Sequence, residues 1–193
     1  MSEMQTQQTT PGISLHEFLA QNGFYLDKSV TNVIEKIITS GNRKAFLLRG
    51  PAGVGKTHLT WLIAKWISAE YIYYQCTYGT SEDELLYKYV PMENTKSGIK
   101  ITLGPLPRAL LMSQKKKVVL VLDEFDKTRP SADALLLDML QNFRVSLYLN
   151  DDETIITGNN NLIVFLTSND MREFSEPLLR RLITLTLKPL PSA

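Results

Sequence analysis

Residues 50–57 read Gly-Pro-Ala-Gly-Val-Gly-Lys-Thr, which fits the phosphate-binding pattern G-x-x-x-x-G-K-[ST] in full. A short apolar run at 44–49 precedes this loop, and residues 58–70 follow it with apolar side chains at helical spacing. The sequence therefore predicts a strand, a loop and a helix in that order. In this arrangement the backbone N–H groups of residues 52–57 meet at a helix N-terminus, where the helix dipole favours an anion. We predict that nucleotide phosphates bind there.

The residues of this loop contribute in different ways. Gly50, Gly53 and Gly55 allow tight turns and close backbone approach, Lys56 is placed to reach the β and γ oxygens, and Thr57 to give its hydroxyl to Mg²⁺. A glycine-rich turn that matches by accident is the alternative, and the flanking strand and helix argue against it. The predicted nucleotide-binding set is Gly50, Pro51, Ala52, Gly53, Val54, Gly55, Lys56, Thr57 and His58.

A second apolar run, at 118–122, is typical of a strand buried on both faces of a parallel sheet, and it ends in Asp123-Glu124. Nucleotide hydrolysis needs an acidic strand end of this kind beside the phosphate loop. We predict that Asp123 holds Mg²⁺ through its water and that Glu124 is the general base for the attacking water. An isolated Asp-Glu pair would more simply be a solvated turn, but its combination with the phosphate loop favours the catalytic roles.

Composition restricts the possible functions. The chain has 193 residues, 44% of them hydrophobic, which suits one substantial core. Lys and Arg number 21 against 20 for Asp and Glu, so no overall field attracts nucleic acid or an anionic membrane. No apolar run is long enough to span a bilayer, and Cys76, the single cysteine, suits a reducing compartment. We expect a cytoplasmic protein with a flexible tail at 1–12 and one nucleotide-binding core at 13–193.

Start and stop signals along the chain predict alternating helices and strands. This alternation implies an α/β fold with a parallel sheet, helices on both faces and the phosphate loop at the carboxyl ends of the strands. The predicted helices span 14–23, 27–41, 58–70, 81–89, 105–113 and 131–142, with a short one that ends in 178–181. The predicted strands span 44–49, 71–75, 118–122, 162–167 and 182–187, and hairpins are predicted at 91–104 and 145–157.

The chain resembles the AAA+ ATPases, and among them most closely the MoxR-like group. The resemblance covers about residues 24–190 and rests on four motifs in order: GPAGVGKT at 50–57, VVLVLDEFDK at 118–127, IVFLTSND at 163–170 and EPLLRRL at 176–182. It implies a P-loop NTPase three-layer sandwich, with a five-stranded parallel sheet of order 5-1-4-3-2 and the two hairpins as insertions. The hairpins are candidate partner contacts, and ordinary surface hairpins are the equal alternative.

The resemblance also implies site residues and assembly. It makes Asn169 the sensor that orients the attacking water, and Arg181, with Arg180 as its alternate, the finger that reaches the γ-phosphate of a neighbouring subunit. A turn-forming Asn and a helix-capping arginine pair are the plainer alternatives. ATP and Mg²⁺ are the implied cofactors, and a homo-oligomer, a hexameric ring, is the implied assembly. In this family a helical lid normally follows the last strand. The given sequence ends at residue 193, soon after the last predicted strand, so we expect the lid to be absent.

Three functions stay open. The first is Mg²⁺-dependent ATP hydrolysis that drives remodelling or assembly of a protein partner. The second is a McrB-like GTPase or a nucleic-acid-associated motor, against which the near-neutral charge weighs. The third is a nucleotide-dependent binding module with little hydrolysis, favoured only by the missing lid. The sequence identifies neither the protein substrate nor the preference for ATP over GTP.

Overall fold

The computed structural model describes residues 12–40, 44–91, 99–149 and 152–189. Within these residues the chain forms seven α-helices, nine strands and one 3-10 turn, Phe125–Lys127. The helices are α1 (Leu15–Gln21), α2 (Lys28–Thr39), α3 (Lys56–Trp66), α4 (Glu82–Leu86), α5 (Pro105–Ser113), α6 (Ser131–Asn142) and α7 (Glu176–Leu179). The strands are β1 (Lys44–Arg49), β2 (Glu70–Gln75), β3 (Tyr87–Pro91), β4 (Ile99–Leu103), β5 (Val118–Asp123), β6 (Arg144–Leu149), β7 (Asp152–Thr157), β8 (Leu162–Ser168) and β9 (Ile183–Thr186).

Five of these strands form one parallel sheet in the order β2-β5-β8-β1-β9. Read from the β9 edge, the order along the chain is fifth, first, fourth, third, second. β3 with β4 and β6 with β7 form two separate antiparallel hairpins. The α/β class with a five-stranded parallel sheet, predicted from the sequence, is confirmed.

The central strands are apolar throughout because both faces of the sheet are covered. Side chains alternate along a strand, so in β1 Ala45 and Leu47 pack into one apolar layer while Phe46 and Leu48 pack into the other. The first layer contains residues of α4, α5 and α6, and the second contains residues of α1, α2 and α3. The carboxyl ends of β1, β5 and β8 are thereby held rigidly beside one another, and the candidate site forms at these ends.

The two N-terminal helices dock beside the phosphate-loop helix through specific hydrogen bonds. Ser14 and Glu17 form the predicted capping box at the start of α1. The Leu15 N–H donates to the Glu35 carboxylate of α2 at 2.8 Å, and the indole N–H of Trp66 in α3 donates to the Ile13 carbonyl at 2.9 Å. α1 is therefore fastened both to α2 and to α3.

The helix predicted over residues 81–89 is wrong beyond Leu86. Residues 87–89 belong to β3, where the Tyr87 backbone pairs with Leu103. Tyr87 and Tyr89 are two residues apart and so lie on the same face of β3, where their ring centroids are 5.3 Å apart. Aromatic residues favour strands when a partner strand is present, and β4 supplies that partner. The hairpin predicted at 91–104 thus begins earlier, and residues 92–98 lie outside the described residues.

Smaller differences concern ends of elements. The helix predicted over 58–70 begins at Lys56 and ends at Trp66, because left-handed Gly55 precedes it and left-handed Ser68 follows it. Other predicted features lie outside the described residues: the tail up to residue 11, the end of the second helix at Gly41, and residues 150–151 between β6 and β7.

Candidate functional site

The predicted phosphate loop connects β1 to α3 and approaches other backbone closely. Its three glycines have positive φ values, +144° at Gly50, +80° at Gly53 and +93° at Gly55. A Cβ at Gly50 would lie 2.4 Å from the Leu187 carbonyl oxygen, whereas a Cβ at Gly53 would meet nothing within 4 Å. The first N–H groups of α3 have no partner within the helix, so they are available to an anion at the loop.

This difference between the glycines gives a stability prediction. Gly50→Ala should lower the free energy of unfolding by about 2–4 kcal/mol, since it adds a backbone clash to a left-handed φ. Gly53→Ala, with open space around it, should cost only about 1 kcal/mol and serves as the matched control. Urea unfolding of the three proteins measures both values. Equal losses in the two variants would contradict the proposed contact with Leu187.

Lys56 is almost fully buried, and its ammonium group donates three hydrogen bonds. Its Nζ donates to the Gly50 carbonyl at 2.6 Å, the Pro51 carbonyl at 2.9 Å and the Asn169 Oδ1 at 2.7 Å. Burial lowers the pKa of the Lys56 amine, and the nearby carboxylates, first among them Asp123, oppose that shift. A phosphate oxygen that binds Lys56 must therefore replace one of three existing acceptors.

Asp123 lies at the end of β5 and accepts hydrogen bonds from three hydroxyl groups, one on helix α3 and one each on strands β8 and β2. Its Oδ1 accepts from Thr57 Oγ1 at 2.7 Å and from Thr167 Oγ1 at 2.6 Å, and its Oδ2 accepts from the Tyr73 hydroxyl at 3.0 Å. Burial, then the hydrogen bond to Asp123, raises the pKa of Tyr73, so this phenol stays a donor. Mg²⁺ in nucleotide sites takes few protein oxygens and completes its shell with phosphate and water. The adjacent Thr57 hydroxyl and Asp123 carboxylate fit that requirement.

Glu124 follows in a left-handed conformation, with φ of +54°, which is uncommon for a residue with a side chain. Its N–H donates to Thr167 Oγ1 at 2.8 Å. Its carboxylate accepts from Lys127 Nζ at 2.6 Å, and from Gln75 and Asn169 at 3.3 Å each. The Lys127 hydrogen bond is the largest cause of a lowered pKa for Glu124. Glu124 is therefore an ionised acceptor held in place on both sides.

Asn169, just after β8, connects these two parts of the site. Its Oδ1 accepts from Lys56 and its Nδ2 donates to Glu124, so both ends of the amide are used. The structure thus brings Asn169 between the phosphate-loop lysine and the acidic strand end.

A cavity of about 240 Å³ opens among these residues. Gly50 and Pro51 are not in its wall and instead supply the carbonyls that hold Lys56. The lining residues are Ala52, Gly53, Gly55, Lys56, Thr57, His58, Asp123, Glu124, Thr167 and Asn169.

A second and larger cavity, about 590 Å³, shares Ala52 and Gly53 with the first. Val54 also lines it, and its other walls come from two segments to which the sequence analysis gave no function, residues 23–27 with Val30 and residues 186–189. A Cβ at Gly55 would lie 2.8 Å from the Phe24 ring, so this ring packs directly on the phosphate loop. The clue was available in the apolar triplet Phe24-Tyr25-Leu26, which lies in a segment without helical periodicity between two helices. Adjacent phosphate-sized and apolar cavities suit the two ends of a nucleotide.

The candidate arginines lie apart from this group. Arg181 donates from Nη1 to the Pro177 carbonyl at 2.8 Å and from Nη2 to Gln141 of α6. Arg180 is exposed and pairs with Glu176 one turn earlier in the chain. Among the described residues, neither arginine lines the two cavities.

The fold and this site define a class, the P-loop nucleotide-binding domains, and a family comparison narrows it. The model of the AAA domain, dynein-related subfamily, matches residues 45–182, and the chain belongs to that family. It is an AAA-type P-loop ATPase domain, so the predicted AAA+ membership is confirmed. Within the described residues, no helix is both long and apolar enough to cross a membrane.

Curated relatives and a solved structure are also similar to this chain. The chain is 28% identical over 144 residues to the mitochondrial Lon protease homolog of Yarrowia lipolytica, covering 72% of this chain and 12% of that protein. It is 26% identical over 180 residues to Lon protease 2 of Borreliella burgdorferi, covering 86% and 21%. The chain therefore spans about a fifth or less of these relatives. A crystal structure of a "putative ATPase" from Cytophaga hutchinsonii shares the fold, with TM-score 0.64 and 18% identity over 92% of this chain and 51% of that one.

Proposed function

We propose that this chain binds ATP with Mg²⁺ and hydrolyses it, and that the reaction drives remodelling or assembly of a protein partner. The observation that carries the proposal is the connected set Lys56, Asn169 and Glu124, placed beside Thr57 and Asp123 in one cavity. This set supports the proposal because the Lys56 ammonium, the ionised Glu124 carboxylate and the Thr57 and Asp123 oxygens lie together in one cavity.

Each residue has a proposed step. Lys56 neutralises charge on the transferred phosphoryl group and gives up one of its three acceptors to do so. Glu124 takes the proton from the attacking water, and Asn169, which contacts Glu124, orients that water. Mg²⁺, when bound at Thr57 and Asp123, supplies positive charge to the phosphate oxygens. The larger cavity beside Phe24 receives the nucleoside.

Further parts of the proposal concern subgroup and setting. We propose a MoxR-like member of the family that works in the cytoplasm as a homo-oligomeric ring, with Arg181 or Arg180 acting on the neighbouring subunit. The core spans residues 13–193, and the hairpins β3–β4 and β6–β7 are candidate partner contacts. The relatives' names describe proteases, which act on proteins, and this supports a protein as the partner.

Replacing Glu124 by glutamine should separate binding from chemistry. Glu124→Gln removes the base but keeps a side chain of the same size, so ATP and Mg²⁺ should bind as before while hydrolysis falls about a hundredfold or more. Equilibrium ATP binding and steady-state phosphate release measure the two quantities. Running both with GTP in place of ATP determines the nucleotide preference.

Glu70→Gln is the matched control, because Glu70 begins β2 at the opposite end of the sheet and pairs with Lys116 at the surface. It should hydrolyse ATP at the parent rate. A Glu124→Gln protein that hydrolyses as fast as the parent would remove Glu124 from the mechanism. A parent protein that binds ATP without releasing phosphate would favour the binding-module function.

A further inference from the structure

Asp126 is a buried carboxylate that the sequence analysis did not assign to the site. It lies in the 3-10 turn just after Glu124 and is 3% exposed. Its Oδ2 accepts three hydrogen bonds from the end of β8 and the residues just after it: the Ser168 hydroxyl at 3.1 Å, the Asn169 N–H at 2.8 Å and the Met171 N–H at 2.9 Å. A single carboxylate oxygen thus contacts three of the four residues at 168–171.

Further contacts also hold this segment. Asp170 has a left-handed φ of +62°, and its N–H donates to the Ser168 hydroxyl at 2.9 Å. The Asp170 carboxylate pairs with Arg49 at the end of β1 at 2.6 Å. Asn169 is the residue of this turn whose side chain enters the cavity. Its backbone position, and hence the reach of its amide, depends on the Asp126 contact.

Stability alone does not explain this carboxylate. Asp126 Oδ1 is buried with no hydrogen-bond partner among the described residues, which is costly for a charged group. Hydrogen bonds to a charged acceptor are stronger and shorter than neutral ones, so the charge fixes the turn more firmly than an uncharged acceptor would. A buried polar atom without a partner calls for an explanation, and a role in the reaction is one such explanation.

We propose that Asp126 is a positioning residue for nucleotide hydrolysis, acting through Asn169. Its three hydrogen bonds hold residues 168–171 in position, so that the Asn169 side-chain amide stays between Lys56 and Glu124. Asp126 does not line the cavity, and its hydrogen bond from the Asn169 N–H connects it to a residue that does. This inference rests on the proposed function, since it concerns the geometry of the same reaction.

The test is a double-mutant cycle on hydrolysis. Asp126→Ala should lower kcat about tenfold or more, with ATP affinity changed less than about twofold, because supporting contacts of this kind typically contribute 10- to 100-fold. In an Asn169→Ala background the same change should have no further effect on kcat, since the group through which it acts is gone. Asp126→Asn, which retains an acceptor oxygen, should recover part of the lost rate.

Ser113→Ala is the stability control. Ser113 is also buried and holds a turn, accepting from the Asn159 N–H at 3.1 Å, but it lies at the other end of the sheet. It should lower the melting temperature without lowering kcat of the folded protein. Asp126→Ala with parental kcat, or with an undiminished effect in the Asn169→Ala background, overturns the inference and leaves the proposed function standing. A parent protein without turnover overturns both.

Discussion

Lys56→Ala should weaken ATP binding by about a thousandfold. Truncating one partner of a buried, hydrogen-bonded charge pair costs about 2–5 kcal/mol, and about 4 kcal/mol corresponds to that factor. The structure adds a second contribution, because the Lys56 ammonium also joins the Gly50 and Pro51 carbonyls to Asn169. Its loss therefore loosens the loop that should cradle the phosphates. Isothermal titration with ATP and Mg²⁺ measures the change.

Lys65→Ala is the matched control for this variant. Lys65 lies on the same helix, but it is exposed and its ammonium covers the Trp61 ring at 3.7 Å. ATP affinity should be unchanged in Lys65→Ala. Unchanged affinity in Lys56→Ala would contradict the phosphate-loop assignment, from which the rest of the site is argued.

Arg181→Ala should lower hydrolysis about a thousandfold while leaving ATP bound, since an arginine finger contributes at least that much to phosphoryl transfer. In this structure the Arg181 guanidinium is held by Gln141 and the Pro177 carbonyl. It is not directed into the cavity of its own chain, so in the proposed ring the charge comes from a neighbouring subunit. Turnover per subunit should then rise with protein concentration as the head-to-tail interface forms.

Mixing two inactive proteins tests this arrangement directly. Arg181→Ala protein keeps an intact phosphate loop and Lys56→Ala protein keeps an intact arginine, so one complete site can form where they meet. Activity should return in the mixture and not in either protein alone. Arg144→Ala, which removes an exposed arginine paired with Asp138, should behave as the parent. If Arg181→Ala is fully active at every concentration, the finger is Arg180 or there is none.

Residues of the candidate site could be predicted where they follow one another in the sequence. Residues whose contacts depend on how two strands are aligned were missed. The loop at 50–57 and the Asp123-Glu124 pair are short motifs with a mechanism, so sequence alone identifies them. Thr167 was missed because its contact with Asp123 depends on register: β5 and β8 pair Leu122 with Leu166, which brings the next residues together. Strands that are apolar at every position carry no sign of that register.

The same reason applies to two other contacts of the acidic strand end. Gln75 reaches Glu124 because β2 and β5 align Gln75 with Asp123. Asp126 follows the motif closely, yet its partners come from the turn after another strand. Local patterns likewise could not show that Tyr87 has a partner strand, so the predicted helix ran too far. What escaped prediction is consistently a contact between segments distant in sequence.

The Phe24 ring that packs on Gly55 has a thermodynamic consequence for the whole N-terminal part of the chain. This ring belongs to the segment between α1 and α2, and the same segment lines the larger cavity. For a nucleotide seated in that cavity, occupancy and the docking of the two helices are linked, and each must stabilise the other by the same factor. For such a nucleotide, any force that displaces α1 and α2 from α3 lowers nucleotide affinity. Conversely, a bound nucleotide stabilises the docked position of residues 12–40.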